Sequence, residues 1–80
     1  MRNCQVAAAW AAGRTASTQH MTTDGDRLWS YNLVIGFTED DGSKVAIDYT
    51  APHFVSMTTS CHVGLAKRVA DWAEPPRKDR

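Results

Sequence analysis

The sequence predicts an α+β fold: a four-stranded antiparallel β-sheet made of two hairpins, with one C-terminal helix packed on one face. Three features carry this. Residues 27–50 alternate apolar and polar positions around an acidic turn, as a half-buried hairpin does. Residues 5–22 read as a second hairpin folded about Gly13. Residues 60–73 carry an apolar stripe at helical spacing. A chain of 80 residues makes one small domain, here residues 1–74, with 75–80 a polar C-terminal tail.

Within residues 5–12 the alanines favour helix. The alternation of Val6, Ala8, Trp10 and Ala12, with Gly13 next, favours strand, and Thr15, Ser17 and Thr18 favour a second strand through about Met21. Strands over 5–12 and 14–22 are therefore expected, with Trp10 as the one large anchor. Thr23-Asp24-Gly25-Asp26 is the next turn.

The main hairpin follows. Trp29, Tyr31, Leu33, Ile35 and Phe37 share one face of its first strand, and Val45, Ile47 and Tyr49 share that face on the second. A three-residue loop Asp40-Asp41-Gly42, with Gly42 left-handed, pairs Phe37 with Val45, Ile35 with Ile47 and Leu33 with Tyr49. A shorter turn would send the two apolar sets to opposite faces. Ser30, Asn32, Val34, Gly36, Lys44, Ala46, Asp48 and Thr50 form the other face. In such a meander the 24–26 turn and the 39–41 loop lie at opposite ends of the sheet.

Pro52 ends the fourth strand, and His53 to Met57 is a connector packed by Phe54 and Val55. Thr58, Thr59 and Ser60 are N-cap candidates for a helix from Ser60 to Ala73. Cys61, Leu65, Val69 and Trp72 form its inward stripe; Lys67, Asp71 and Glu74 face water. Gly64 inside the helix marks a close approach to the sheet. Pro75-Pro76 ends the helix.

The composition excludes several functions. Nine basic and nine acidic residues cancel, so no global field steers the chain to nucleic acid. No apolar run reaches membrane-spanning length. No phosphate loop is present, and the acidic turns lack calcium-loop spacing. Cys61-His62, with His20, His53 and Cys4, does not give spaced zinc-ligand pairs. Cys61 reads as a buried thiol and His62 as a surface histidine. With only Cys4 and Cys61 and no secretory signal, free thiols in the cytoplasm are expected. No catalytic set, metal or cofactor is expected, so the chain reads as a binding protein rather than an enzyme.

Two surfaces are candidates. Asp24 and Asp26 on one turn, and Glu39, Asp40 and Asp41 on the other, carry more carboxylates than turn geometry needs, which suits a cationic partner. Lys67, Arg68, Arg77, Lys78 and Arg80 form the alternative, a nucleic-acid-binding set, weaker because the chain is neutral. Trp29 and Tyr31 could serve as stacking platforms, but core is the better reading.

The stretch GRTASTQHMTTDGDRLWSYNLVIG resembles a small domain encoded by tailed phages and prophages. The shared pieces are Gly13-Arg14, Thr23 to Asn32, Tyr49-Thr50 and Thr58-Thr59-Ser60-Cys61-His62, over roughly residues 13–65. The chain departs from that pattern in its longer connector, APHFVSM. The resemblance implies a mobile-element context and no activity to carry over. In length and character the chain is also similar to type I anti-CRISPR proteins, subtype C among them. This implies a protein that binds a host type I CRISPR surveillance complex (Cascade) and blocks target DNA binding. A small nucleic-acid-binding or regulatory phage protein and a phage structural accessory protein are the alternatives. The sequence leaves the oligomeric state open.

Overall fold

The structure is a computed structural model that describes residues 2–49 and 57–75, with side chains described for all of these except 57–60. It contains α1 (Asn3–Ala11), β1 (Thr15–Ser17), β2 (Met21–Asp24), β3 (Leu28–Ser30), β4 (Leu33–Thr38), β5 (Lys44–Ile47), α2 (Met57–Val69) and β6 (Trp72–Glu74). The six strands form one sheet in sequence order, antiparallel from β1 to β5, with β6 parallel to β5. The class is α+β as expected, but with more strands and a second helix.

The first hairpin strand is instead α1. Gly13 is the reason. Its φ of +74° places it at the left-handed position past a helix end. The Arg14 N–H reaches Ala9 O at 2.8 Å and the Gly13 N–H reaches Trp10 O at 3.0 Å, the paired bonds of a Schellman cap. At the other end the Gln5 side chain accepts the Arg2 N–H at 2.7 Å. The alanine run therefore followed its helical propensity, and the glycine is a C-cap rather than a hairpin turn.

The expected strand over 27–38 is broken into β3 and β4. Tyr31 sits at φ +55°, and its N–H donates to His20 O at 2.8 Å. Ser30 then pairs with Leu33 across a two-residue turn. Ile35 is an extra residue in β4, because Leu28 pairs with Gly36 while Trp29 pairs with Val34. This bulge redistributes the apolar set. Ile35 joins the core with Val6, Ala7, Trp10, Met21, Leu28, Ala46, Val63 and Ala66, and Leu33 packs against that core.

The hairpin register is as expected where it is paired: Phe37 opposes Val45, and Gly36 opposes Ala46. Gly42 is left-handed at φ +89°, and the loop closes through Glu39 N–H to Ser43 O at 2.8 Å. The face assignment holds for Leu33, Ile35 and Tyr49, which pack in or against the helix-side core, and is reversed for Trp29, Phe37, Val45 and Ile47. A Cβ on Gly36 would stand 2.8 Å from the Trp10 indole, so the helices cover the face of Gly36 and its neighbours Leu28 and Ala46. Trp29, Phe37, Val45, Ile47 and Trp72 alternate to the other face. Small residues win the helix side because an indole ring needs space against the backbone. The expected Ile35–Ile47 partnership on one face is lost, since Ile35 lies in the helix-side core and Ile47 on the far face.

Helix α2 starts earlier and ends earlier than expected. After Val69 the chain turns, the Asp71 N–H donates to Lys44 O at 2.7 Å, and Trp72, Ala73 and Glu74 pair with Val45, Ala46 and Ile47. Strand β6 thereby satisfies the outer edge of β5, which a longer helix would have left bare. The inward face of α2 is also rotated: His62, Val63 and Ala66 are buried, while Cys61 is exposed and Trp72 is in the sheet at 45% exposure. Gly64 has nothing within 4 Å of its missing Cβ, so the close approach expected there is absent. Pro52, the connector with Phe54 and Val55, the capping side chains of 58–60 and the tail beyond Pro75 lie outside the described residues.

Two glycine substitutions test this packing. Gly36→Ala drives a methyl into the Trp10 ring and should lower stability by about 1–3 kcal/mol. Gly64→Ala should raise it by up to about 1 kcal/mol, through helix propensity alone. Urea unfolding midpoints of both variants check the pair, and equal shifts of one sign would contradict it.

Candidate functional site

The strand order sets the geometry of two sites, one at each end of the sheet. Because β3 and β4 reverse at Tyr31, the turn after β2 and the loop after β4 fall at the same end. The expectation of opposite ends is corrected. The contacts are direct: Thr38 Oγ1 donates to Asp26 O at 2.8 Å, and Lys44 Nζ donates to Gly25 O at 2.8 Å. Asp71 is there too, its Oδ2 accepting the Lys44 N–H at 2.7 Å. Asp24, Asp26, Glu39, Asp40, Asp41 and Asp71 thus share one end with Arg14, Arg27 and Lys44.

The five acidic residues singled out from sequence divide by role. Asp24 Oδ1 accepts the N–H groups of Asp26 and Arg27, both at 2.9 Å. These bonds, that from Arg27 foremost, hold its carboxyl below the ordinary range. Asp41 Oδ1 accepts the Ser43 N–H at 2.9 Å, with the same effect on its carboxyl. Both therefore build their turns. Asp26 and Asp40 are exposed and Glu39 half-buried, and none of the three side chains takes part in a described hydrogen bond or ion pair. Their carboxylates are the ones open to a partner.

The turn itself is held from inside. The Trp10 indole N–H donates to Asp26 O at 3.0 Å, and Lys44 Nζ lies 5.7 Å from the Trp10 ring centroid while also bonding Thr38 Oγ1 at 2.7 Å. Carbonyls at 25 and 26 are captured by the side chains of Lys44, Thr38 and the buried Trp10, so the acidic surface is presented on a fixed backbone.

Of the alternative basic set, only Lys67 and Arg68 are among the described residues. Lys67 pairs with Asp48 at 3.5 Å, Arg68 is exposed on α2, and Arg77, Lys78 and Arg80 lie outside the described residues. An open groove of about 320 Å³ between α1 and β1 is lined by Gln5, Ala8, Ala9, Arg14, Thr15 and Ala16.

At the opposite end stands a cluster that sequence reasoning missed. His62 is buried, not on the surface. Its Nδ1 lies 2.6 Å from Ser30 Oγ and its Nε2 lies 3.3 Å from Asn3 Nδ2. Thr18 Oγ1 donates to Asn3 Oδ1 at 2.7 Å. The His20 ring stacks 6.4 Å from His62, and Tyr31 meets both. Burial, then the charge of His20, lowers the His62 pKa below 6.5. Serine, histidine and asparagine in contact suggest a nucleophile and its base. Ser30, however, is 1% exposed, so its hydroxyl is closed off from solvent. The arrangement works as a clamp joining α1, β3 and α2. Among the described residues no three His, Cys, Asp or Glu groups stand close enough to hold a metal ion, and no helix is long and apolar enough to cross a membrane. Both cysteines are exposed and free, which corrects the inward placement of Cys61.

Ser30 and Tyr31, from the stretch Thr23 to Asn32, and His62, from the stretch Thr58 to His62, meet here although they are distant in sequence. Among known proteins, no family model, curated protein or solved structure matches the chain.

Ser30→Ala should cost about 1–3 kcal/mol, because it strands a ring nitrogen away from water. Ser17→Ala on exposed β1 should stay within about 0.5 kcal/mol. Equal denaturant midpoints for the two would argue against the clamp.

Proposed function

We propose that the protein acts by binding rather than by catalysis, and that it docks on a cationic surface through the end carrying Asp26, Glu39 and Asp40. The observation that carries this is the convergence of the two acidic turns at one end of the sheet. Like charges gathered on a rigid backbone repel one another, and a basic partner offsets that repulsion. Complementary charge chiefly raises the association rate.

The concrete form of the proposal is an inhibitor encoded by a mobile element, an anti-CRISPR protein that occupies the basic DNA path of a type I surveillance complex in the host cytoplasm and blocks target DNA binding. Its support is the resemblance to the phage domain together with the acidic end. Direct nucleic-acid binding is the weaker reading, since Lys67 is engaged with Asp48.

The triple reversal Asp26→Lys, Glu39→Lys and Asp40→Lys tests it. Circular dichroism and thermal unfolding should stay close to wild type, because these side chains do not build the turns. Association with a purified type I complex should slow by about 10- to 100-fold at low salt, with a weaker salt dependence. A folded triple variant that associates and inhibits like wild type rules out the acidic end. Failure of the wild-type protein to bind any type I complex rules out the partner.

A further inference from the structure

His62 is 3% exposed, and the donors around it fix its protonation state. Thr18 Oγ1 accepts the Met21 N–H at 3.0 Å and the His20 N–H at 3.2 Å, which occupies both lone pairs. The Thr18 hydroxyl proton therefore goes to Asn3 Oδ1, at 2.7 Å. Asn3 then presents its Nδ2 to His62 Nε2 at 3.3 Å, so Nε2 is the acceptor. Nδ1 carries the hydrogen and donates it to Ser30 Oγ at 2.6 Å. The chain of bonds runs in one direction only and requires a neutral ring.

We propose that this chain is an acid-sensitive latch: neutral His62 holds the first turn of α1 against α2 and the β1–β2 turn, and protonation of the ring releases it. A proton on Nε2 would face the Asn3 amide donor. The amide can turn its oxygen toward the ring only by giving up the Thr18 hydroxyl. The other acceptor for that hydroxyl, Met21 O, is 3.5 Å away, and Thr18 Oγ1 has no lone pair left for the turned amide. Protonation therefore breaks at least one link between α1 and its neighbours.

Among the described residues, the groups around the ring do not offset this. Asn3 comes from α1, with exposed Cys4 beside it. His20 comes from the β1–β2 turn, Ser30 from β3, Tyr31 from the β3–β4 turn, and exposed Cys61 precedes His62 on α2. None is a carboxylate, and a charged His20 repels a charged His62. Folded His62 thus binds its proton less readily than the unfolded chain does. The sign follows: the latch contributes fully above the unfolded value of about 6.5, and its contribution is lost as pH falls from there through the folded pKa. The latch lies at the end of the sheet away from the acidic turns and does not depend on the docking proposal.

The test combines side-chain ¹⁵N NMR, amide hydrogen exchange and urea unfolding between pH 8 and 5. Wild-type His62 should show a protonated Nδ1 and a bare Nε2 at neutral pH. On acidification, exchange should quicken first at Gln5, Val6 and Met21, the amides tied to the first turn of α1 and to Thr18. The unfolding constant should gain up to about tenfold per pH unit below 6.5 from this proton. Asn3→Asp places an acceptor opposite Nε2, keeps the oxygen that Thr18 needs, and puts a favourable acid in the first helical turn. It should raise the His62 pKa and flatten or reverse the loss. His62 titrating at 6.5 or above in the wild type, or Asn3→Asp leaving the pH dependence unchanged, overturns the latch.

Discussion

The seating of the Trp10 indole on Gly36 is the constraint from which most of the architecture follows. An aromatic ring laid directly on a strand needs a position without Cβ, and β4 supplies one. Gly36 and its cross-strand neighbour Ala46 then belong to the helix side. That choice sends Phe37, Val45 and Ile47 to the far face, where Val45 and Ile47 are still fully buried. The bulge at Ile35 recovers one large residue for the core that strict alternation would have lost. The ring also fixes the turn after β2, through its N–H to Asp26 O. One side chain therefore sets helix position, sheet face and turn placement together.

How much of this was legible depended on whether the deciding interaction was local. The 39–43 loop was readable because Asp41 and Gly42 act on their own backbone, and the Phe37–Val45 register came with it. Gly13 was ambiguous because left-handed glycine serves both a hairpin turn and a helix C-cap. The bonds to Ala9 and Trp10 decided it, and they exist only once the helix has formed. Tyr31 gave no warning of a reversal, since a non-glycine residue at positive φ is held by a distant partner, here His20 O. The face of the main hairpin was misread for a similar reason. Alternation reports that two faces differ, but not which of them a helix can approach.

The candidate sites follow the same division. The excess of carboxylates in the turns was visible, and so was the point that only some are needed for turn geometry. Their convergence was not, because it depends on the reversal at Tyr31. His62 was read as a surface residue by placing Cys61 on the inward stripe. A one-residue rotation of α2 reverses that, and the hydrogen bond to Ser30, distant in sequence, is what selects the rotation. Periodicity alone cannot rank a thiol against an imidazole as the buried member of a stripe when the imidazole has partners waiting.

The two ends of the sheet put polar chemistry to opposite uses. At the acidic end, the turn carbonyls of Gly25 and Asp26 are drawn inward by Lys44, Trp10 and Thr38, and Asp24 satisfies the turn amides. The carboxylates of Asp26, Glu39 and Asp40 are left out of that network, so their charge can change at little structural cost. At the clamp end the relation is inverted. Asn3, Thr18, Ser30 and His62 each donate to or accept from the next, and the Ser30–His62 pair is buried, so removing either strands the other away from water. Variation in the first group should register in encounters with other molecules, and variation in the second in the stability of the chain itself. That contrast is why the acidic end is the surface proposed for docking: its charges are held in place by a backbone that does not need them.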